Sequence, residues 1–219
     1  MNSLYNFVSG PLAWVAFVIF IVGSLYRLIR LLLQVHKKEK FIYTYMSWKY
    51  SLRSILHWIT PFGTANWRRH PALTIVTFAF HVCLIFTPIF LLAHVVLWDE
   101  AFGVNWWSLP DGLAILMTLI VIGGCVFFLV RRLVSPEVQY VTSASDYLIL
   151  AIAAAPFITG FLTYYQWFAY PFFTILHVVS GEVMLIAIPF TRLSHMLFAP
   201  LTRAYMGSEF GGIRQAKDW

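Results

Sequence analysis

Charge is scarce in this 219-residue sequence. Asp, Glu, Lys and Arg together supply only 11% of it, against about 25% in a soluble globular domain. That shortage excludes an ordinary water-soluble protein. Cysteine is scarcer still: Cys83 and Cys125 both fall inside apolar runs, which argues against a structural disulfide. No CxxC and no CxxCH occurs, so neither a cysteine-held metal cluster nor a covalently attached c-type haem is encoded. Internal repeats, low-complexity tracts and a soluble domain are also missing. Lysine and arginine are missing from half of the loops, and that gap sets the orientation below.

What the chain has in abundance is apolar surface, with 60% hydrophobic and 18% aromatic residues. Apolar runs of the roughly 20 residues needed to cross a bilayer stand near 11–33, 71–98, 112–131, 146–165 and 171–198. The pattern predicts an all-α integral membrane protein with five transmembrane helices and one membrane domain over residues 1–219. The opening MNSLYNFVSG has no basic stretch, and no A-x-A-like site follows, so the first run is expected to remain as an anchor.

The basic residues divide by loop. Lys37, Lys38, Lys40, Lys49, Arg53, Arg68 and Arg69 lie in loop 34–70, and Arg131 and Arg132 end span three. Arg192, Arg203, Arg214 and Lys217 lie at the C-terminal end, and Arg27 and Arg30 in the last turns of span one. These are all fifteen; the opposite side holds Asp99, Glu100 and Asp111. The positive-inside rule then predicts the N-terminus outside, the C-terminus inside and loop 34–70 cytoplasmic. A net charge of +6 that flanks apolar spans is not a nucleic-acid-binding face. The loop KFIYTYMSWKYSLRSILHWITPFGTANWRRHP reads as an amphipathic segment on the membrane surface and as a platform for a cytoplasmic partner.

Seven histidines divide by depth. His36, His57 and His70 sit in or beside the cytoplasmic loop, where an interfacial role suffices. His81 and His94 fall in span two, and His177 and His195 in span five, two in each of two apolar segments. Ionisable groups are rare in such segments without a use. Antiparallel spans bring His94 level with His177 and His81 level with His195. Zinc wants three or four protein ligands, whereas haem iron needs two axial ones. Thirteen residues separate the span-two pair and eighteen the span-five pair, about 20 and 27 Å along a helix. Eighteen residues are five turns, predicting one shared face for His177 and His195; thirteen leave His81 and His94 out of phase unless Pro88 kinks the helix. Two haems, a proton or ion transporter relaying through histidines and Glu182, and plain packing all remain open on residues alone.

The run LHVVSGEVMLIAIPFTRLSHMLFAPLTRAY, with RRLVSPEVQYVTSASDYLIL and the Phe-His early in span two, resembles the cytochrome b (gamma) subunit family of respiratory nitrate reductases. Within it the chain is most similar to the short cytochrome b subunits of transmembrane redox complexes of sulfate-reducing bacteria. The resemblance covers roughly residues 75–205. It implies a di-haem four-helix core with two haems b, the inner one on His81 and His195 and the outer one on His94 and His177. It also implies electron transfer from a periplasmic donor, such as a multihaem cytochrome c, or from menaquinol, to a cytoplasmic heterodisulfide-reductase-like iron–sulfur subunit. Other membrane subunits would complete the complex. Two readings stand beside it: a menaquinol-oxidising anchor of a cytoplasmic reductase, and the transporter. Arg192, one turn before His195, is a candidate partner for a haem propionate, and Glu182 a candidate proton carrier at a quinone pocket. The outer loop 99–111 lacks the lysine that the nitrate reductase subunits carry near their quinol site.

Overall fold

The computed structural model describes residues 2–167 and 169–216, and among them every regular element is helical. Lys217, one of the basic residues counted above, lies outside the described residues. The longer helices are α1 (Ala13–Lys38), α2 (Trp48–Ile59), α3 (Pro71–Phe90), α4 (Leu92–Phe102), α5 (Asp111–Val134), α6 (Ala144–Tyr164), α7 (Tyr170–Phe190) and α8 (His195–Met206). Five stretches are long and apolar enough to cross a membrane: Ser3–Lys38, Pro71–Phe90, Asp111–Val134, Ala144–Tyr164 and Tyr170–Phe190. They coincide with the five apolar runs, and the protein is a multi-pass membrane protein in contact with lipid. Along α1, Val18, Val22, Leu25 and Ile29 are all more than half exposed. They follow the i, i+4, i+7, i+11 rhythm of one helix face, the face that acyl chains would cover.

The second and fifth runs are not single helices. α3 ends at Phe90, and Leu91 is extended (φ −69°, ψ 129°) before α4 begins. α7 ends at Phe190, Thr191 is extended (φ −121°, ψ −171°), and a 3-10 turn, Arg192–Ser194, leads into α8. The predicted spans 71–98 and 171–198 are therefore corrected. His94 lies beyond the first break and His195 beyond the second, so the shared helix face expected for His177 and His195 does not exist. Each break follows a proline, Pro88 or Pro189, by two or three residues.

The chain forms two compact units, one of Met1–Ser9 with Ile75–Gly181 and one of Gly10–Thr74 with Glu182–Trp219. In the first, Phe80, Cys83, Val121, Cys125, Ala154 and Phe157 make a buried cluster contributed by α3, α5 and α6. Gly124 lets α3 approach α5 closely, for a Cβ there would stand 2.7 Å from Cδ2 of Phe80. Both cysteines are free thiols in this cluster.

In the second unit, α2 packs against α8 and the following turn, Gly207–Ile213, through small residues. The Ser47 N–H donates to Ser208 Oγ (3.0 Å), Ser51 Oγ donates to the Ala204 carbonyl (3.1 Å), and Ser51 and Ser208 share a hydroxyl–hydroxyl bond (3.0 Å). At Gly207 a Cβ would stand 2.4 Å from both Ser54 Cβ and the Tyr50 carbonyl oxygen. The amphipathic reading of loop 34–70 thus gains a third face, a buried serine face, besides the apolar and basic ones.

The close approach gives a stability prediction. Gly207→Val should push α8 off α2 at a cost of about 1–3 kcal/mol, seen as faster tryptic cleavage at Arg203 and Arg214 in detergent. Cleavage at the wild-type rate would mean that α2 does not hold α8.

Candidate functional site

A helix that ends inside hydrocarbon leaves its last carbonyls without the N–H groups of a following turn. The break at Leu91 does this to Pro88, Ile89 and Phe90, and each carbonyl is taken by another donor. His94 Nδ1–H donates to Pro88 O (2.7 Å), Trp106 Nε1–H to Ile89 O (2.9 Å), and the Leu109 N–H to Phe90 O (2.8 Å). The loop after α4 therefore folds back to complete the end of α3. His94 is oriented by a carbonyl that a continuous helix would have given to the backbone N–H of Leu92.

His177 on α7 is held from α6. Its Nδ1–H donates to the Pro156 carbonyl at 2.9 Å, and Thr159 Oγ1, 3.5 Å from the same nitrogen, also bonds Ser180 Oγ (3.1 Å). Gly160 makes room: a Cβ there would stand 2.9 Å from Cε1 of His177. Without that glycine the imidazole could not reach past α6 to Pro156.

The His94 and His177 rings are near-parallel and not in direct contact. Their centroids are 6.0 Å apart and their planes 16° from parallel, well beyond the roughly 3.5–4 Å of direct contact. A metal bonded to both imidazoles at about 2.0 Å per bond would set the centroids roughly 6 Å apart, with a ring radius near 1.1 Å for bonds of about 1.33 Å. One turn beyond His177, a Cβ on Gly181 would meet nothing within 4 Å. Among the described residues, no three or more His, Cys, Asp or Glu cluster as a metal site would need. A two-ligand, planar metal group such as haem fits this pair.

His81 and His195 lie in different units and are described separately. His81 Nδ1–H donates to the Thr77 carbonyl (2.8 Å) one turn back on α3. His195, at the exposed start of α8, donates from Nδ1 to the Arg192 carbonyl (2.8 Å). The Arg192 backbone carbonyl thus orients the His195 ring. At all four histidines the carbonyl can only accept, so Nδ1 donates to it. In the neutral form of such a ring, Nε2 is the nitrogen that can take a metal.

Glu182 is only 6% exposed, and neither carboxyl oxygen has a hydrogen-bond partner among the described residues. Of the three loop histidines, His70 caps the short helix Ala65–Arg69 and accepts from Thr74, while His36 lies beside the Tyr43 ring. Sequence reasoning passed over Gly160, Thr159, Ser180 and Trp106. Gly160 carried a readable signal, a glycine one turn after a proline inside an apolar span.

Gly160→Ala should therefore displace the His177 ring and lower the stability of the purified chain in detergent by about 1–3 kcal/mol. Gly123→Ala, where a Cβ meets nothing within 4 Å, should leave it unchanged. Equal stability of the two variants would separate Gly160 from the packing of His177.

No family model matches the chain. A curated protein of Nitratidesulfovibrio vulgaris strain Hildenborough, described only as "Protein", is 35% identical over 215 residues, covering 94% of this chain and 93% of its own. With a match that runs nearly end to end on both sequences, the chain belongs to the family of that Nitratidesulfovibrio protein.

Proposed function

We propose that the protein is a di-haem b-type cytochrome subunit that carries electrons across the cytoplasmic membrane. The observation that carries this reading is the His94–His177 pair: two near-parallel imidazoles 6.0 Å apart, each with Nδ1 tied to a proline carbonyl. A haem held on both faces exchanges single electrons and keeps no open position for substrate. His94 and His177 would hold the outer group, and His81 and His195 the inner one. The carbonyl bond at each Nδ1 stops the ring from turning and raises the basicity of Nε2. The family resemblance supports the same assignment. The electron partners would be a periplasmic donor or menaquinol on one side and a cytoplasmic iron–sulfur subunit on the other. The basic loop 34–70 and the C-terminal end suit the second partner, because opposite charge steers docking.

The spectrum of each histidine variant tests the pairing. Replacing His94 or His177 by Ala should remove one haem and leave the other, and replacing His81 or His195 should remove the complementary one. Two haems surviving in His94→Ala would bring in another ligand. A wild-type chain with no dithionite-reducible haem would favour the transporter reading.

Menaquinol as the donor is favoured by Glu182, whose desolvated carboxyl lies five residues beyond His177. A group that is costly to bury is more often kept for proton transfer than for packing. Glu182→Gln should slow menaquinol-driven haem reduction roughly a hundredfold, the low end of general acid–base effects, and leave both haem spectra in place. Wild-type kinetics in that variant would return Glu182 to a structural role.

A further inference from the structure

In the second unit, a cavity of about 430 Å³ opens between the loop after α2 and the end of α8. Its volume falls within the range of small-ligand sites, about 300–1,000 Å³. The indoles of Trp58 and Trp67 form two walls, 6.1 Å apart and 57° from parallel. Met206 and Phe210 line the rest, and Asn66 and Arg203 bring polar groups to it. The Arg203 guanidinium lies over the Trp58 ring, 5.8 Å from its centroid, so a cation–π contact holds the charge at the cavity wall.

The surroundings fix the depth. On α2, Trp48, Leu52, Leu56 and Ile59 form one face and are 83%, 51%, 60% and 56% exposed. Lys49, Arg53 and His57 lie along the next face. A helix with an apolar face beside a basic one lies in the membrane interface, its cations at the level of the phosphates. Arg68 and Arg69 directly follow Trp67. The cavity therefore opens at headgroup depth on the basic side, with an apolar floor and a cationic rim. A ligand that matches both is an amphiphile with a phosphate and an acyl chain.

We propose that this cavity binds one anionic phospholipid, which bridges α8 and the segment after α2. The phosphate accepts from Arg203, a charge-assisted bond. The Asn66 amide reaches the glycerol oxygens, and the upper acyl chain lies against Trp67, Met206 and Phe210.

Native mass spectrometry of the full-length protein, delipidated in detergent and titrated with dioleoylphosphatidylglycerol or dioleoylphosphatidylcholine, tests this. The wild type should retain one phosphatidylglycerol in preference to phosphatidylcholine. Arg203→Gln should weaken that retention roughly fivefold, the factor for about 1 kcal/mol per basic residue near an anionic surface. Met206→Trp, which fills the cavity and keeps Arg203, should abolish the preference, while Lys37→Gln, outside the cavity, should not change it. Far-UV circular dichroism checks that each variant is folded. Equal retention of the two lipids by the wild type, or undiminished phosphatidylglycerol in both cavity variants, would overturn the proposal. So would selective binding of a short-chain naphthoquinone that Met206→Trp removes, which would make the cavity a site for a planar ring.

Discussion

A backbone carbonyl left without a donor in hydrocarbon costs several kcal/mol, and much of this chain's functional geometry follows from meeting that demand. Two apolar runs break where their spanning helices end, at Leu91 and at Thr191, and each break releases carbonyls. At the first, an imidazole, an indole and a loop amide take the three of them. At the second, the Leu193 N–H turns to Thr191 Oγ1 (3.2 Å), and Arg27 donates to the Pro189 carbonyl (2.9 Å) instead. Gly23, one turn before Arg27, admits the approach: a Cβ there would lie 3.0 Å from Pro189 Cγ and Phe190 Cζ. The same demand that closes a helix end thus orients a ligand-type histidine at one break and anchors α1 at the other.

The two bonds at His94 and His177 differ in how the carbonyl becomes accessible. Pro88 offers its carbonyl because the helix stops two residues later, at Phe90. Pro156 offers its second lone pair from within a continuous α6, and Gly160 uncovers it. A carbonyl accepts two bonds, so α6 keeps its helix while it holds a neighbour's ring. Gly160 and the break at Leu91 are two local solutions to one geometric task.

The five spans were legible because length and hydropathy decide them, and so were the four histidines, because polar groups stand out in apolar runs. The breaks were legible only as prolines. A proline disturbs the turn before it, yet each helix here persists for one or two residues past it, and that lag cannot be read from Pro88 or Pro189 alone. The contact of α2 with α8 was hidden for another reason. Ser47, Ser51, Ser54 and Ser208 look like a solvated face, but small side chains also permit close helix approach, and only the packing tells the two apart.

Phase carried weight in the sequence reading that the structure removes. Thirteen residues between His81 and His94 are a mismatch only along an unbroken helix, where successive residues turn by a constant angle. One extended residue at Leu91 resets that angle, and Thr191 resets it between His177 and His195. Across such a break, helical-wheel agreement neither supports nor weakens a pairing. The local bond at each Nδ1 does discriminate, because it fixes which nitrogen is left to bind. His94 meets that test as well as His177 does, although its spacing from His81 was the weaker of the two on sequence. The orientation of each imidazole is therefore set by which carbonyl it can reach, and Pro88 and Pro156 matter through the carbonyls that they offer.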